Sequence, residues 1–339
     1  MERLDSWKIF PPQLLKGWFL LLVTLMTLQI SAGNVAGQSQ ASQSKFLGNI
    51  IGNEIPDGFD SYWDQVTPER AGKWGVVAPG PDTSLWRWTR LDRIYDFAIE
   101  KGYPFKFHNL VWNQQQPLWV NGLDSAQQVE WVEEWIALCG RRYPNAAYVD
   151  VVNEPIRTPY DTLYPAYYKA IGGAGKTGWD WVIWSFSKAR KSFPHSKLLL
   201  NEYNILNGRK PVDSLIHLIN LLKERKLIDG IGIQGHFLEK TDSVELRRRL
   251  DIVESLGLPI FISEYDVDEP NDSLQLAVYK EQFPVFWKDR HIEGITLWGY
   301  LEGKIWRHNA YLIRIDGTER PAFIWLRSYV ATHRADGKL

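Results

Sequence analysis

From Phe46 onward, short apolar runs alternate with longer stretches whose apolar residues recur at helical spacing. The runs are "FLGNII" from Phe46, "GKWGVV" from Gly72, "PFKFHNLVW" from Pro104 and "AYVDVVNE" from Ala147. They continue with "KLLLNEY" from Lys197, "IDGIGIQGH" from Ile228, "PIFISEYDV" from Pro259 and "GITLWGY" from Gly294. Being short and rich in β-branched and aromatic residues, they predict buried strands. Between them, Leu91, Ile94, Tyr95, Ala98 and Ile99 fall on one helical face, as do Leu215, Leu218, Ile219 and Leu222. Asp242, three residues before Glu245, reads as a helix N-cap, and Gly102 and Gly257 read as helix stops. Eight strands, each followed by a helix or long loop, predict an α/β fold: one (β/α)8 barrel domain over residues 46–335. The competing doubly wound sheet lacks its signal, because no G-x-G-x-x-G follows an early strand. "GGAGKTG" (Gly172 to Gly178) lacks the phosphate-loop spacing, and no strong strand leads into it.

In a barrel of parallel strands, chemistry gathers at the strands' C-terminal ends. The run "YVDVVNEPIRTPY" (Tyr148 to Tyr160) shows what such an end looks like. Pro155 has no backbone N–H for a ladder and disfavours helical geometry before it, so the strand is expected to stop at Glu154, leaving Asn153 and Glu154 at the mouth. The other strand ends supply Lys73 and Trp74, His108 with Trp112 and Asn113, and Glu202 with Tyr203. Gln234 and His236, Glu264 and Asp266, and Trp298 with nearby Trp306 complete the set. A barrel needs apolar interior layers, but nothing structural demands so many polar and indole strand ends.

Composition narrows the ligand. Lys and Arg total 39 against 40 Asp and Glu, so no charge excess points to nucleic acid or an anionic membrane. Of the 17 Trp, 15 Tyr and 14 Phe some fill a core, but flat amphipathic rings also suit the apolar face of a sugar. No His/Cys cluster has metal-ligand spacing. Cys139 is the only cysteine, lies in a helical pattern and reads as a small buried apolar residue. Lys8 and Lys16, the apolar run Trp18 to Ile30 and the small residues after it read as a secretory signal over residues 1–37, followed by a linker over 38–45. The apolar run is short for a bilayer, so an exported, secreted or periplasmic product is expected over an uncleaved anchor. The mature chain is expected to be a monomer without an integral span.

Two carboxyl groups facing one sugar are what glycoside hydrolysis by double displacement requires: one protonates the leaving oxygen, the other attacks the anomeric carbon. Glu154 and Glu264 fit those roles, with Glu202 as a rival acid at the end of the fifth strand. His236 could donate to Glu264, and Asn153 could hold a sugar hydroxyl.

The sequence resembles glycoside hydrolase family 10, the endo-β-1,4-xylanase family. "HNLVWNQQQPLWV", "VDVVNE", "NEYNI", "IDGIGIQGHF", "FISEYDVDE" and "GITLWGY" follow its motifs in order through the mature chain. The resemblance implies a retaining, endo-acting enzyme that needs no cofactor and acts on xylan or a related xylose-containing polysaccharide. It makes Glu154 the acid/base and Glu264 the nucleophile, with Asn153, Gln234, His236 and Asp266 in support. Lys73, His108, Trp112, Tyr203, Trp298 and Trp306 then line the sugar subsites. This chain departs from the pattern at several places. Arg70 stands where the family has a sugar-binding Asn, Gly72 where it has Met, and Asn113 where it has His. Glu202 replaces the Asp of its Asn-Asp-Tyr, and Tyr265 lies where it has Leu. Arg70 could serve an acidic or decorated sugar or pair with a neighbouring acid. Hydrolysis of another β-glycan, or a non-catalytic carbohydrate-binding relative, remains as the alternative.

Overall fold

The structure, a computed structural model, describes residues 45–156 and 163–334. The expected signal segment and nearly all of the expected linker, residues 1–44, lie outside the described residues, as do 157–162 and 335–339. In chain order the elements are β1 (Phe46–Ile51), β2 (Val66–Pro68), α1 (Trp74–Val77), α2 (Thr89–Lys101), β3 (Lys106–Val111) and α3 (Ser125–Arg142). Then come β4 (Tyr148–Asn153), α4 (Asp180–Ser192), β5 (Lys197–Glu202), α5 (Val212–Glu224) and β6 (Gly230–Ile233). The last are α6 (Ser243–Glu254), β7 (Ile260–Tyr265), α7 (Asp272–Lys288), β8 (Ile292–Leu297) and α8 (Pro321–His333).

All neighbouring strands pair in parallel, in the order β2-β1-β8-β7-β6-β5-β4-β3. The two outer strands meet through a parallel bridge between Val66 and Phe105, where Val66 N–H donates to Pro104 O at 3.1 Å, so the sheet curls into an eight-stranded barrel.

Seven expected strands appear where the apolar runs lie, and the second does not. "GKWGVV" forms the helical turn α1, and the strand is the preceding Val66–Pro68. The apolar residues of that run dock on α3 rather than fill a ladder: Trp74 is buried and stacks on Trp135 with ring centroids 5.9 Å apart and planes at 11°. Gly75 N–H donates to Gln115 O at 2.8 Å, an approach open only to a residue without a Cβ. β4 ends one residue earlier than expected, at Asn153, because Glu154 turns to a left-handed φ of 55°. On α2, Leu91, Ile94, Tyr95 and Ala98 are buried, but Ile99 is 43% exposed at the edge of the face. The α5 face is buried as expected, Asp242 caps α6 by accepting from Glu245 N–H, and Gly102 ends α2 at φ 69°. Cys139 is buried in α3.

The barrel interior changes character along its axis. At the N-terminal end of the strands, Phe46, Tyr148, Leu199 and Phe261 form a separate apolar plug. Above it the interior turns polar. Buried Lys106 lies 3.3 Å from Asp150 and donates to Ser263 O, and Thr296 donates to Gln65. The larger apolar core fills the layer between strands and helices. Lys45, expected as the end of a linker, is tied to the barrel by donating to the carbonyls of Phe286, Trp287 and Asp289.

Candidate active site

The strands open at their C-terminal ends into a cleft of about 510 Å³. It gathers Glu154, Glu264, Asn153, Gln234 and His236 with Arg70, Lys73, His108, Trp112, Tyr203, Trp298 and Trp306. Of the residues singled out in the sequence, Trp74, Asn113, Glu202 and Asp266 do not line it. Asn113 is not among the lining residues, and its neighbours Gln114 and Gln115 are. Asp266 lies behind His236 and Trp306, bonded to both, and does not itself line the cleft. Glu69 and Phe237 also line the cleft. The signal for Glu69 was its place directly after Pro68, the true end of β2, which the misplaced second strand concealed.

Glu154 sits on the turn after β4. Its Oε1 accepts from Gln234 Nε2 at 3.0 Å and Asn153 Nδ2 at 3.2 Å, and its Oε2 accepts from Trp112 Nε1 at 3.1 Å. Burial pushes its carboxyl above the usual carboxylate range, with the Glu264 charge adding to that, while the hydrogen bonds from Gln234 and Trp112 hold it back.

Glu264 on β7 is tuned the other way. Its Oε1 accepts from Asn201 Nδ2 at 2.6 Å, and its Oε2 lies 3.2 Å from His236 Nε2. Burial would raise this carboxyl, but His108, His236 and Lys106 outweigh burial and pull it down to about 2. His236 is itself held by Asp266, whose Oδ2 lies 2.9 Å from Nδ1. Against the effect of burial, Asp266 and Glu264 raise His236 to about 9, so the ring facing Glu264 is an imidazolium near neutral pH. Arg307 and the Trp306 indole N–H in turn donate to Asp266 at 2.7 and 3.0 Å. His108, 3.9 Å from Glu264 and 2.8 Å from Asp150, is driven down to about 4 by burial and then by Lys73. It is therefore neutral near neutral pH, where His236 is the charged partner, and it adds its own charge only below about 4, in the range where Glu264 titrates.

The two carboxyl groups belong to one amide network, in which Asn201 Nδ2 reaches both Glu264 and, at 2.8 Å, Asn153 Oδ1. Asn201 carried no signal beyond its place one residue before the more conspicuous Glu202. The rival acid faces elsewhere. Asn201 points to the barrel mouth, so the next residue on β5 points to the opposite face. Glu202 is fully buried there at 2.8 Å from Lys210, and it does not line the cleft. Burial pushes its carboxyl up, and the Lys210 ammonium beside it pulls it back.

Aromatic rings wall the cleft. Trp298 packs edge-on against His108, with ring centroids 5.1 Å apart, and half-exposed Trp306 against His236 at 4.9 Å. The Lys73 ammonium is buried 4.5 Å from the centre of the Trp112 ring. Burial lowers it to about 8 against the pull of Glu264 and Glu154, which leaves it mostly protonated at neutral pH. Trp86 and Trp88 instead pack with Trp135 away from the cleft. Among the described residues one group offers metal-ligand atoms close together, Glu254, Asp289 and His291, and Arg247 is ion-paired to both of its acids.

The glycosyl hydrolase family 10 model matches residues 28–329. The chain belongs to glycosyl hydrolase family 10. Endo-1,4-beta-xylanase B of Cellvibrio japonicus is 37% identical over 284 residues, covering 83% of this chain but 45% of that longer protein. Endo-1,4-beta-xylanase A of Caldicellulosiruptor saccharolyticus is 30% identical over 73% of this chain and 78% of its own length. The crystal structure of xylanase 10B from Thermotoga maritima superposes with a TM-score of 0.74 over 86% of this chain and 96% of that one. At 23% identity, that likeness bears on the barrel fold alone.

Proposed function

We propose that this protein is an exported endo-acting hydrolase of β-1,4-linked xylan, working by retaining double displacement. Glu154 protonates the glycosidic oxygen while Glu264 attacks the anomeric carbon, and Glu154 then activates the water that releases the glycosyl-enzyme. The observation that carries this reading is that two carboxyl groups on one cleft face opposite surroundings, Glu154 the Gln234 amide and Trp112 indole, and Glu264 the His236 ring held by Asp266. Glu154 is held above the usual carboxylate range, and Glu264 is pulled down to about 2. A proton donor and a nucleophile must differ in that way at one working pH. Asn153, Gln234, His236, Asp266 and Asn201 support the pair. Lys73, His108, Trp112, Tyr203, Trp298 and Trp306 hold sugar rings, by hydrogen bonds and by indole faces. Family membership and the two xylanase relatives favour xylan over other β-glycans. The N-terminal pattern supports export, and no helix among the described residues is long and apolar enough to cross a membrane.

Release of new reducing ends from a panel of β-glycans, with products separated by size, tests the proposal. Xylan cut into a ladder of oligomers is the expected result. Binding without cleavage on every polymer would favour a carbohydrate-binding protein instead.

Arg70 bears on which xylan is preferred. It is exposed where the cleft meets a neighbouring cavity of about 560 Å³, whose other cation is Lys304. An Arg fork there suits the carboxylate of a uronic-acid side group, which it can grip with two parallel hydrogen bonds. Arg70→Asn should move relative activity toward undecorated xylan by about tenfold, the value of one charge-assisted hydrogen bond. Unchanged relative rates on decorated and plain xylan would remove Arg70 from the account of specificity.

A further inference from the structure

Glu154 stands on a tight turn that leaves the end of β4. Its own φ of 55° is left-handed, a conformation that persists in a non-glycine residue only when the surroundings enforce it. The next residue, Pro155, has no N–H to donate. Two backbone donors therefore remain in the stretch Glu154 to Ile156, and β5 takes both. Glu154 N–H donates to Asn201 O at 2.8 Å, and Ile156 N–H donates to Glu202 Oε2 at 2.8 Å. The other oxygen of Glu202 accepts from Tyr203 N–H at 2.9 Å and Lys210 Nζ at 2.8 Å. Carboxylate and ammonium are both buried, so this contact is insulated from water. The Lys210 nitrogen also lies 3.7 Å from the centre of the Tyr203 ring, which lines the cleft.

We propose that Glu202, secured by Lys210, is a positioning residue that clamps the Glu154 turn and so aims the proton of Glu154 at the leaving oxygen. The role rests on the assignment of Glu154 as acid/base. A single carboxylate carries the contact, because only a side chain with two acceptor oxygens can bond to the turn and to the strand end at once.

The test compares two substrates across variants. A xylo-oligosaccharide has a sugar leaving group and needs the proton, whereas a dinitrophenyl β-xylobioside has a leaving group that departs without one. In Glu202→Gln, and in the double variant Glu202→Gln with Lys210→Met that removes both members of the buried pair, kcat/KM on the oligosaccharide should fall. The loss should exceed that on the aryl glycoside by about tenfold or more, a part of what a well-placed general acid supplies. Equal losses on both substrates would show Glu202 to be merely structural, and no loss on either would show the clamp to be idle. Each result overturns the proposal. Should Glu202→Gln fail to fold, the double variant decides by the same ratio, and Glu202→Asp decides if both fail. A wild-type enzyme that cleaves neither substrate would instead overturn the proposed function, so the two failures are told apart.

Discussion

Glu154 and Glu264 are the same side chain, and what separates them is the charge each one faces. Glu154 is bonded by neutral donors, the Gln234 and Asn153 amides and the Trp112 indole. Glu264 faces His236, an imidazolium held by Asp266. The kcat/KM profile should therefore be a bell. Its alkaline limb follows loss of the Glu154 proton, above the usual carboxylate range, and its acid limb follows protonation of Glu264 near 2. His236→Asn removes the cation, so the Glu264 carboxyl should rise and the acid limb should move to higher pH. A pH–rate profile of that variant with an unmoved acid limb would contradict the role given to His236. The same shift enters stability. A carboxyl depressed in the folded state stabilises it above the unfolded value of about 4.3, and that gain is lost as pH falls from there through about 2. Both acids were legible in the sequence because each ends an apolar run. Asn201 was not legible in its role, since its side chain cannot be assigned a direction without the strand register.

At the scale of elements, register is what the sequence conceals. Strict alternation places Phe261 and Ser263 on the inner face of β7 and would turn Glu264 outward. The pairing of β7 with β8 shifts between Ile262 and Tyr265, and that irregularity re-aims the strand end that carries Glu264. β4 shifts likewise between Asp150 and Val152, just below Asn153. The second strand was misread for a related reason. An apolar run of six residues suits a strand or a docked helical turn equally, and here the turn won because Trp74 has Trp135 to stack on. Gly72 shows what that docking demands, because a Cβ there would lie 2.4 Å from the carbonyl oxygen of His108. Gly72→Ala should destabilise the fold by about 1–3 kcal/mol, the usual range for overpacking. A thermal melt should show Tm lowered by several degrees. An unchanged Tm would mean the loop carrying Lys73 can yield without cost.

The whole barrel was readable because its logic repeats: an apolar run, a polar strand end, a helix with one buried face, then the next run. Seven of the eight strands could be found that way, and the count alone separated a barrel from an open sheet. Closure through Val66 and Phe105 could not be read, since a single bridge leaves no pattern in the chain. The same architecture explains how residues on β4 and β7, far apart in the chain, share one cleft. It also explains why the interior, sealed by an apolar plug at one end, can afford the buried Lys106–Asp150 pair that lies beneath that cleft.

The central claim is that Glu264 forms the covalent bond to the sugar while Glu154 moves the proton. A 2-deoxy-2-fluoro xylobioside with a dinitrophenyl leaving group tests it directly, because fluorine slows both steps and the activated leaving group lets the first proceed. Peptide mapping of the inactivated protein by mass spectrometry should place the sugar on Glu264. A label on Glu154 or Glu202, or no covalent adduct while xylan is still cleaved, would contradict the account.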